Sequence, residues 1–581
     1  MMRSPNEEPV VTAMQNQLEH ALGQVECDVH AHDWLNPVAN LWSVSVSDTA
    51  QLGFSYRGCG LSAQEAKENA LAGFVARLTC NDFFASYYLG QEVATGAFVY
   101  WPEERWFDVG EGELPQGLLD EPSLIQYNFH GNLRSTMLID KGAGSPERGL
   151  CAIPMVRQQT QAPVCFPVSL INYLYQGHGV AVGASVFDAR VKALSDIFER
   201  HIKTTILSSG ISLPRVPDEV VAEFPAAQKA IRALEQQGFN VLVQDASLGG
   251  KFPLLNIVLM NPATGGCLAA FGAHPKFGKA LEVTVAKLLN GRTLDDLGCL
   301  PTPTHDVDAV ADANNIKKHC DQQATGEVGL IAWDLLSDKT DYTFTRWDLE
   351  GDAEAEFNHL CALIHKVDMD IYIADYNVLG LYACRIVVPG MSEVNDIDRL
   401  ATRSDREAME NRQALLDLPN LSEADLANLE SVFNQLTLSN EWLVTRWLGL
   451  HVDPESAMAD MTMAELRLSL ALANQHLPAA DDRVAQLLAQ KGLRHDKRAF
   501  YQCLQSCLAF LSDGERSLED YHGALKLSYG KAVVERALAM LEGRRLFEQC
   551  ITDDLQLKQL KHHQALIAQY KRLQKAKLQG H

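Results

Sequence analysis

The residues from Gly60 to Arg77 and from Gly183 to Arg200 align without a gap, and this repetition limits the fold more than any other feature of the chain. The first stretch opens Gly60-Leu61-Ser62-Ala63-Gln64-Glu65-Ala66, the second Gly183-Ala184-Ser185-Val186-Phe187-Asp188-Ala189. Gly, Ser, an acid, Ala, an Ala-Leu pair and the final Arg coincide. A serine three residues ahead of an acid, followed by apolar residues at helical spacing, marks a capped helix start. The chain therefore reads as carrying one capped helix twice, with a weaker third copy from Gly278 to Lys287.

In the second copy Asp196 and Glu199 stand three residues apart on one helical face, with Arg200 and Asp188 within a turn or two. That pattern suits a magnesium-nucleotide: the ion takes oxygens from one or two carboxylates together with phosphates, and an arginine neutralises phosphate charge. The blander alternative is an amphipathic helix whose polar face meets solvent. In the first copy the matching positions are Gly73 and Ala76, so half of a two-sided carboxylate cage is missing. A mid-helix glycine costs about 1 kcal/mol relative to alanine, so Gly73 does not serve helix stability.

Up to about residue 402, strand-like stretches such as Leu41-Trp42-Ser43-Val44-Ser45-Val46 alternate with helical ones. From about Ser404 the sequence turns dense in Leu, Ala, Gln and Glu with helical periodicity. The expected organisation is an α+β domain with duplicated sheet and helix layers over residues 1–402, then a separate all-α domain over 403–581. Its helix pairs are tetratricopeptide-like without a clean consensus of roughly 34 residues, and such stacks present a concave surface to a partner. The basic end from Gln569 to Lys577 reads as a solvated helix end whose cations complement the helix dipole, with an acidic or RNA-rich partner as the alternative.

A net charge of −24 and a pI near 5.2 oppose binding of nucleic acid or an anionic membrane by the surface as a whole, so no direct nucleic-acid contact is expected. The start, Met1 to Glu8, carries acids where a secretory signal needs basic and then apolar residues. No run of eighteen apolar residues appears, and a cytoplasmic, non-membrane protein is expected. The 13 cysteines form no CxxC pair, which leaves zinc and iron-sulfur sites without a ligand set. Cys503 and Cys507 read as core residues on one helical face.

The chain resembles the YcaO family along nearly its whole length. The resemblance rests on Trp34-Leu35-Asn36-Pro37-Val38 with Trp42-Ser43-Val44, Asn81-Asp82-Phe83-Phe84-Ala85, Arg148-Gly149-Leu150-Cys151 and Ser247-Leu248-Gly249-Gly250. It continues through Phe271-Gly272-Ala273-His274-Pro275, Ile373-Ala374-Asp375-Tyr376, and Tyr382-Ala383-Cys384-Arg385 running on to Ser392. Within the family it is most similar to the two-domain bacterial type described as an accessory factor for methylthiolation of a small-subunit ribosomal protein. The resemblance implies an α+β YcaO-type domain, a helical extension after residue 404, and ATP-dependent activation of a peptide-backbone amide. In that chemistry a nucleophile adds to the carbonyl and ATP phosphorylates the resulting oxygen. It also implies a protein partner, either the ribosomal-protein methylthiotransferase or its ribosomal substrate, and is compatible with a homo-oligomer.

Carried over residue by residue, the resemblance places Asp196 and Glu199 at magnesium and Asp188 and Arg200 at the nucleotide, both aspartates shortening family glutamates. The other family positions depart. The first-helix glutamates fall on Gly73 and Ala76, a Ser and an Asn on Ala181 and Ala184, an Arg on Val283, and an N-terminal Lys and Ser on or near Glu7 and Met14. Each charge-assisted contact is worth roughly 1.5 to 3 kcal/mol, so losing five or six of them cancels a micromolar affinity of about 8 kcal/mol. ATP and magnesium binding is therefore expected to be weak or lost, without independent catalysis. The chain ends without the proline-rich tail of azoline-forming relatives and has no CxxxCxxC for radical methylthiolation. The competing expectations are a working amide activator with replacement ligands such as Glu65, Glu68 or Glu282, and an interaction scaffold unrelated to ribosomal-protein modification.

Overall fold

In a computed structural model, residues 12–579 are described apart from 51, 52, 111, 113, 145, 403, 404, 457, 491, 514, 544, 545, 548, 549 and 551. The opening stretch Met1 to Glu8 with Glu7, the junction at 403–404 and the terminal Gly580-His581 lie outside the described residues.

Helix α1 (Ala13–Gln24) leads into an antiparallel meander of β1 (Val29–Val38), β2 (Leu41–Asp48) and β3 (Ser55–Gly60), and β3 runs directly into α2 (Ala63–Thr79). A second sheet takes the order β4 (Arg105–Phe107), β5 (Leu150–Arg157), β11 (Tyr372–Val378), β12 (Leu381–Val387) and β7 (Val180–Gly183), with β6 (Pro163–Pro167) also paired to β5. Its edge strand β7 runs directly into α3 (Val186–Ser209). The third sheet has β9 (Leu254–Met260) between β8 (Asn240–Asp245) and β10 (Cys267–Ala273), and β10 is followed by α4 (Phe277–Lys287). The strand-then-helix unit therefore occurs three times, and the short copy Gly278–Lys287 is its third occurrence. Tight turns hold the pairings in register: Leu379 and Gly380, both at positive φ (63° and 73°), join β11 to β12, as a type I′ hairpin turn requires.

Each unit depends on a strand glycine facing the helix that follows it. A Cβ on Gly58 would overlap the backbone N of Ala70 and O of Ala66, and one on Gly183 the backbone N of Ala189. A Cβ on Gly272 would crowd Thr284. Strand and helix backbones thus approach more closely than any side chain allows. Helix α3 lies between two sheets, where Leu194 and Phe198 pack with Leu254, Val258, Phe271 and Ile386 in one buried cluster. Helix Pro225–Gln236 and α4 cover the other face of the third sheet through Ile231, Leu234, Leu281 and Val285.

After residue 404 the described residues form helices and one isolated bridge, Leu443 with Thr462. Helix Met463–Ala473 packs on Leu477–Ala489, that on His495–Ser512, and that on Lys531–Leu541. Cys503 and Cys507 are both fully buried in their shared core, as the spacing predicts. The expected separation of this region from the α+β part is not a break in packing. One hydrophobic cluster joins Phe74, Phe84 and Leu150 to Trp447, Leu466, Leu566 and Tyr570. Arg412, fully buried, donates to the carbonyls of Lys141 (2.7 Å) and Leu448 (3.1 Å) and lies 3.9 Å over the Tyr88 ring.

The basic C-terminal end differs from its expected role. Helix α5 (Lys561–Gln579) docks into the α+β part instead of standing in solvent. Tyr570 meets Phe84 edge-on at 4.8 Å, Gln569 donates to Val25 O, and the fully buried Lys577 donates to Asn81 Oδ1 and to Tyr100 O (2.9 Å) near the Trp101 ring. The exposed cations of α5 pair locally, Lys571 with Glu92 and Arg572 with Glu26. Apolar residues on the inner face of α5, Leu566, Ile567, Tyr570 and Leu573, supply the burial that outweighs the cost of taking an ammonium inside.

Two outcomes follow from this packing. Gly58→Ala places a methyl against helix backbone that cannot rotate away, so it should cost about 1–3 kcal/mol in chemical denaturation or prevent soluble accumulation. Burial pushes the Lys577 amine down from its usual range to about 7, whereas in the unfolded chain it titrates near 10.5. The unfolded state then binds the extra proton between those values, so stability should rise with pH from about 7 to about 10.5 and stay flat in this contribution below 7. Lys577→Met should remove that slope; an unchanged pH profile of the unfolding midpoint would refute the assignment.

Candidate functional site

The two repeated helices start with the same reciprocal cap. Ser62 Oγ accepts from Glu65 N (3.1 Å) while Glu65 Oε2 accepts from Leu61 N (2.9 Å). Ser185 Oγ accepts from Asp188 N (3.1 Å) while Asp188 Oδ2 accepts from Ala184 N (2.9 Å). Asp188 thus serves the N-terminus of α3 as Glu65 serves that of α2, and it also holds Lys192 at 3.0 Å. Beyond these caps the helices flank a cleft of about 400 Å³. Its floor is β3 and β7, and the last turns of α4 close one end with Val283, Ala286 and Lys287.

Asp196, Glu199 and Arg200 all line this cleft, whereas Asp188 does not. Asp196 Oδ2 accepts from Gly179 N (3.1 Å) and faces His178 Nδ1 (3.3 Å). Arg200 Nη1 lies 3.1 Å from His178 Nε2. Arginine only donates, so Nε2 accepts and Nδ1 carries the hydrogen aimed at Asp196, which fixes the ring orientation. Burial by itself raises the Asp196 carboxyl, but His178, the Gly179 N–H and Lys287 outweigh it and hold the group well below the usual carboxylate range.

Glu199 faces ammonium groups instead. It forms a close ion pair with Lys287 from α4, and Lys203 lies one helical turn along at 4.0 Å. Burial lowers the Lys287 amine, yet Glu199 overcomes that and leaves it above its ordinary value. Across the cleft, the Tyr56 ring of β3 occupies the space into which a side chain at Gly73 would project. Arg77 covers that ring from 5.3 Å, and Ala76 is buried beside it. Gly73 is therefore a packing requirement of Tyr56, which accounts for a mid-helix glycine of otherwise unfavourable propensity.

The other positions carried over from the resemblance are placed as follows. Ala181 and Val283 line the cleft, Ala184 belongs to the α3 cap, and Met14 packs half-buried from α1 against the core. Of the acids considered as replacements, Glu65 is committed to its cap, Glu68 accepts from Thr12 Oγ1 (2.5 Å) and Glu282 pairs with Lys279 (2.9 Å). Among the described residues no group of three or more His, Cys, Asp or Glu side chains stands together to hold a metal ion. Tyr56, His178, Lys203 and Lys287 were not singled out as site residues from the sequence. Lys287 closes the weak third copy, which was a signal available there; Tyr56 and His178 reach the site only through strand placement.

The profile of the family described as YcaO cyclodehydratase, ATP- and Mg2+-binding, matches residues 57–392, and that of the YcaO cyclodehydratase C-terminal domain matches 408–579. The chain is 36% identical over 566 residues to the Escherichia coli protein named ribosomal protein S12 methylthiotransferase accessory factor YcaO, covering 97% of this chain and 96% of that one. It is 37% identical over 557 residues to an uncharacterized protein of Haemophilus influenzae, covering 95% and 94% respectively. Among solved structures, YcaO from Methanopyrus kandleri bound with AMPPCP and Mg2+ is similar at 14% identity, with a TM-score of 0.40, covering 65% of this chain and 91% of that one. With both profiles matched in order over most of its length and a relative aligned from end to end, the chain belongs to the YcaO family.

Proposed function

We propose that this protein is a YcaO-family accessory factor that supports β-methylthiolation of a ribosomal protein through a protein partner, with a nucleotide cleft that no longer runs magnesium-dependent ATP turnover. The relationship to the named Escherichia coli accessory factor over nearly the full length of both chains supports the first half. The pairing of Glu199 with Lys287 carries the second. A divalent ion needs carboxylate oxygens free to coordinate. Here Asp196 is engaged by His178 and Gly179, Glu199 faces two ammonium groups, and the facing helix offers Gly73 and Ala76 under the Tyr56 ring. The described donors do not fit magnesium.

In this reading the helical region 403–581 works as a tetratricopeptide-like docking domain, and the stacked helices from Met463 to Leu541 support it. Its shared core with the α+β part would pass the position of a docked partner to the cleft. Among the described residues no helix is long and apolar enough to cross a membrane, in keeping with a cytoplasmic site of action.

An active amide activator is favoured by one observation, the surplus of cations along the cleft: Arg57, Arg77, Lys192, Arg200, Lys203 and Lys287 against Glu65, Asp196 and Glu199. The two readings separate on one experiment. Calorimetry with ATP, with and without magnesium, is run alongside phosphate release. The accessory reading expects no magnesium-dependent heat and no phosphate; turnover abolished by Glu199→Gln would install the activator instead. Capture of the purified methylthiotransferase or its ribosomal protein should persist under these conditions, and failure to bind either would favour the scaffold reading. Lys287→Ala should leave Glu199 with only the more distant Lys203 in a largely buried position and cost about 1–3 kcal/mol of stability, read from denaturant midpoints.

A further inference from the structure

Behind the Glu199–Lys287 pair the cleft continues into a side cavity of about 50 Å³, bounded by Lys203, Asn290, Arg292 and His319. Asn290 lines both spaces. It is 3% exposed, and neither atom of its side-chain amide has a hydrogen-bond partner. Arg292 is 4% exposed; its Nη1 donates to Asn290 O at 3.4 Å and its Nη2 has no partner. Arg57, on the cleft floor beside Gly291, likewise has a buried Nη1 without a partner. Buried polar atoms are nearly always satisfied; here Asn290 and Arg292 on the side cavity, and Arg57 on the cleft that Asn290 also lines, are left short, which points to a ligand spanning the two spaces.

The charge around them gives the ligand's sign. Lys203 and Lys287 line both spaces, Arg292 lines the side cavity and Arg57 the main cleft, while the one carboxylate that lines both spaces is Glu199. Asp33 approaches Arg57 only to 3.7 Å from an exposed position, and Asp296 is committed to Thr293 N and Oγ1. A water molecule would satisfy the Asn290 amide but leave the excess of positive charge. An oxyanion meets both demands, because guanidinium groups match its geometry and the amide donates a further hydrogen bond. The side cavity holds little more than one or two waters, each taking about 30 Å³ in the liquid. It therefore fits oxygens of one phosphate group while the body of a larger ligand lies in the main cleft.

We propose that this pocket binds a phosphate group without a metal ion, with Arg292 and Asn290 as its inner contacts, Arg57 on the side of the main cleft, and the Lys287 and Lys203 ammonium groups supplying the charge that a divalent cation would otherwise bring. The proposal rests on the reading of the cleft as one that magnesium does not enter. The phosphate comes either free or as the terminal group of an ester such as a nucleotide.

The test is calorimetry of the full-length protein with inorganic phosphate and, separately, with ATP, each in excess EDTA and then with magnesium in place of the chelator. At least one probe should bind in EDTA with no gain on adding magnesium. Arg292→Met and Asn290→Leu should each weaken binding about tenfold or more while leaving the unfolding midpoint near that of the unaltered chain. Tighter binding of ATP than of phosphate identifies an ester as the ligand; equal binding identifies the free anion. A strict need for magnesium would overturn this inference and the metal-free reading together. Metal-independent binding that is the same in both variants would leave that reading standing and overturn the pocket. Absence of binding by both probes also overturns it. Should Arg292→Met fail to fold, Asn290→Leu and Arg57→Met carry the comparison.

Discussion

The close approach of a strand glycine to the helix that follows it is the contact on which the rest of the α+β part depends. At Gly58 and Gly183 the helix backbone lies where a Cβ would be, and at Gly272 the Thr284 hydroxyl does. Because this contact is repeated, α2, α3 and α4 are set against their strands in a related way, and the cleft is the space that α2 and α3 leave between them. A helix seated farther out would carry its side chains away from the floor. The hydrophobic packing of α3 between two sheets then makes the arrangement rigid, since interior packing tolerates little change in volume.

In the proposed reading the cleft has exchanged one kind of charge compensation for another. Where the family resemblance places carboxylates for a divalent ion, this chain has Tyr56 and Arg77 on one side and, on the other, the ammonium groups of Lys287 and Lys203 beside Glu199. The exchange is internally consistent. Tyr56 excludes any side chain at Gly73, and Lys287 neutralises a carboxylate that would otherwise stand alone in a low-dielectric site. On the same wall Asp196 and Arg200 are tied together through His178.

The helical region is bound into this arrangement instead of hanging beside it. Arg412 bridges carbonyls from both parts, and α5 returns to the N-terminal layers with Tyr570 and Lys577 inside. Asn81, which receives Lys577, lies just past the C-terminal end of α2, so α5 is anchored beside the end of that helix. A protein that docked on the helices would therefore act on a structure with one continuous core and not on an independent module.

Family, strand-helix alternation and the repeated capped helix were legible in the sequence because they are local: a serine cap, an acid three residues on, and apolar residues at helical spacing need no tertiary information. The same locality put Asp196 and Glu199 on one face with Arg200 and Asp188 within a turn or two, and Asp196, Glu199 and Arg200 line the cleft. Asp188 instead serves the cap, a role that its alignment with Glu65 already contained. The partners of these groups were not legible. Tyr56 against Gly73, His178 between Asp196 and Arg200, and Lys287 against Glu199 each join residues on different elements, and only the packing of sheets and helices decides which side chains meet. For the same reason the basic C-terminal end looked like a solvated helix, and its burial became visible only once its apolar face had a core to enter.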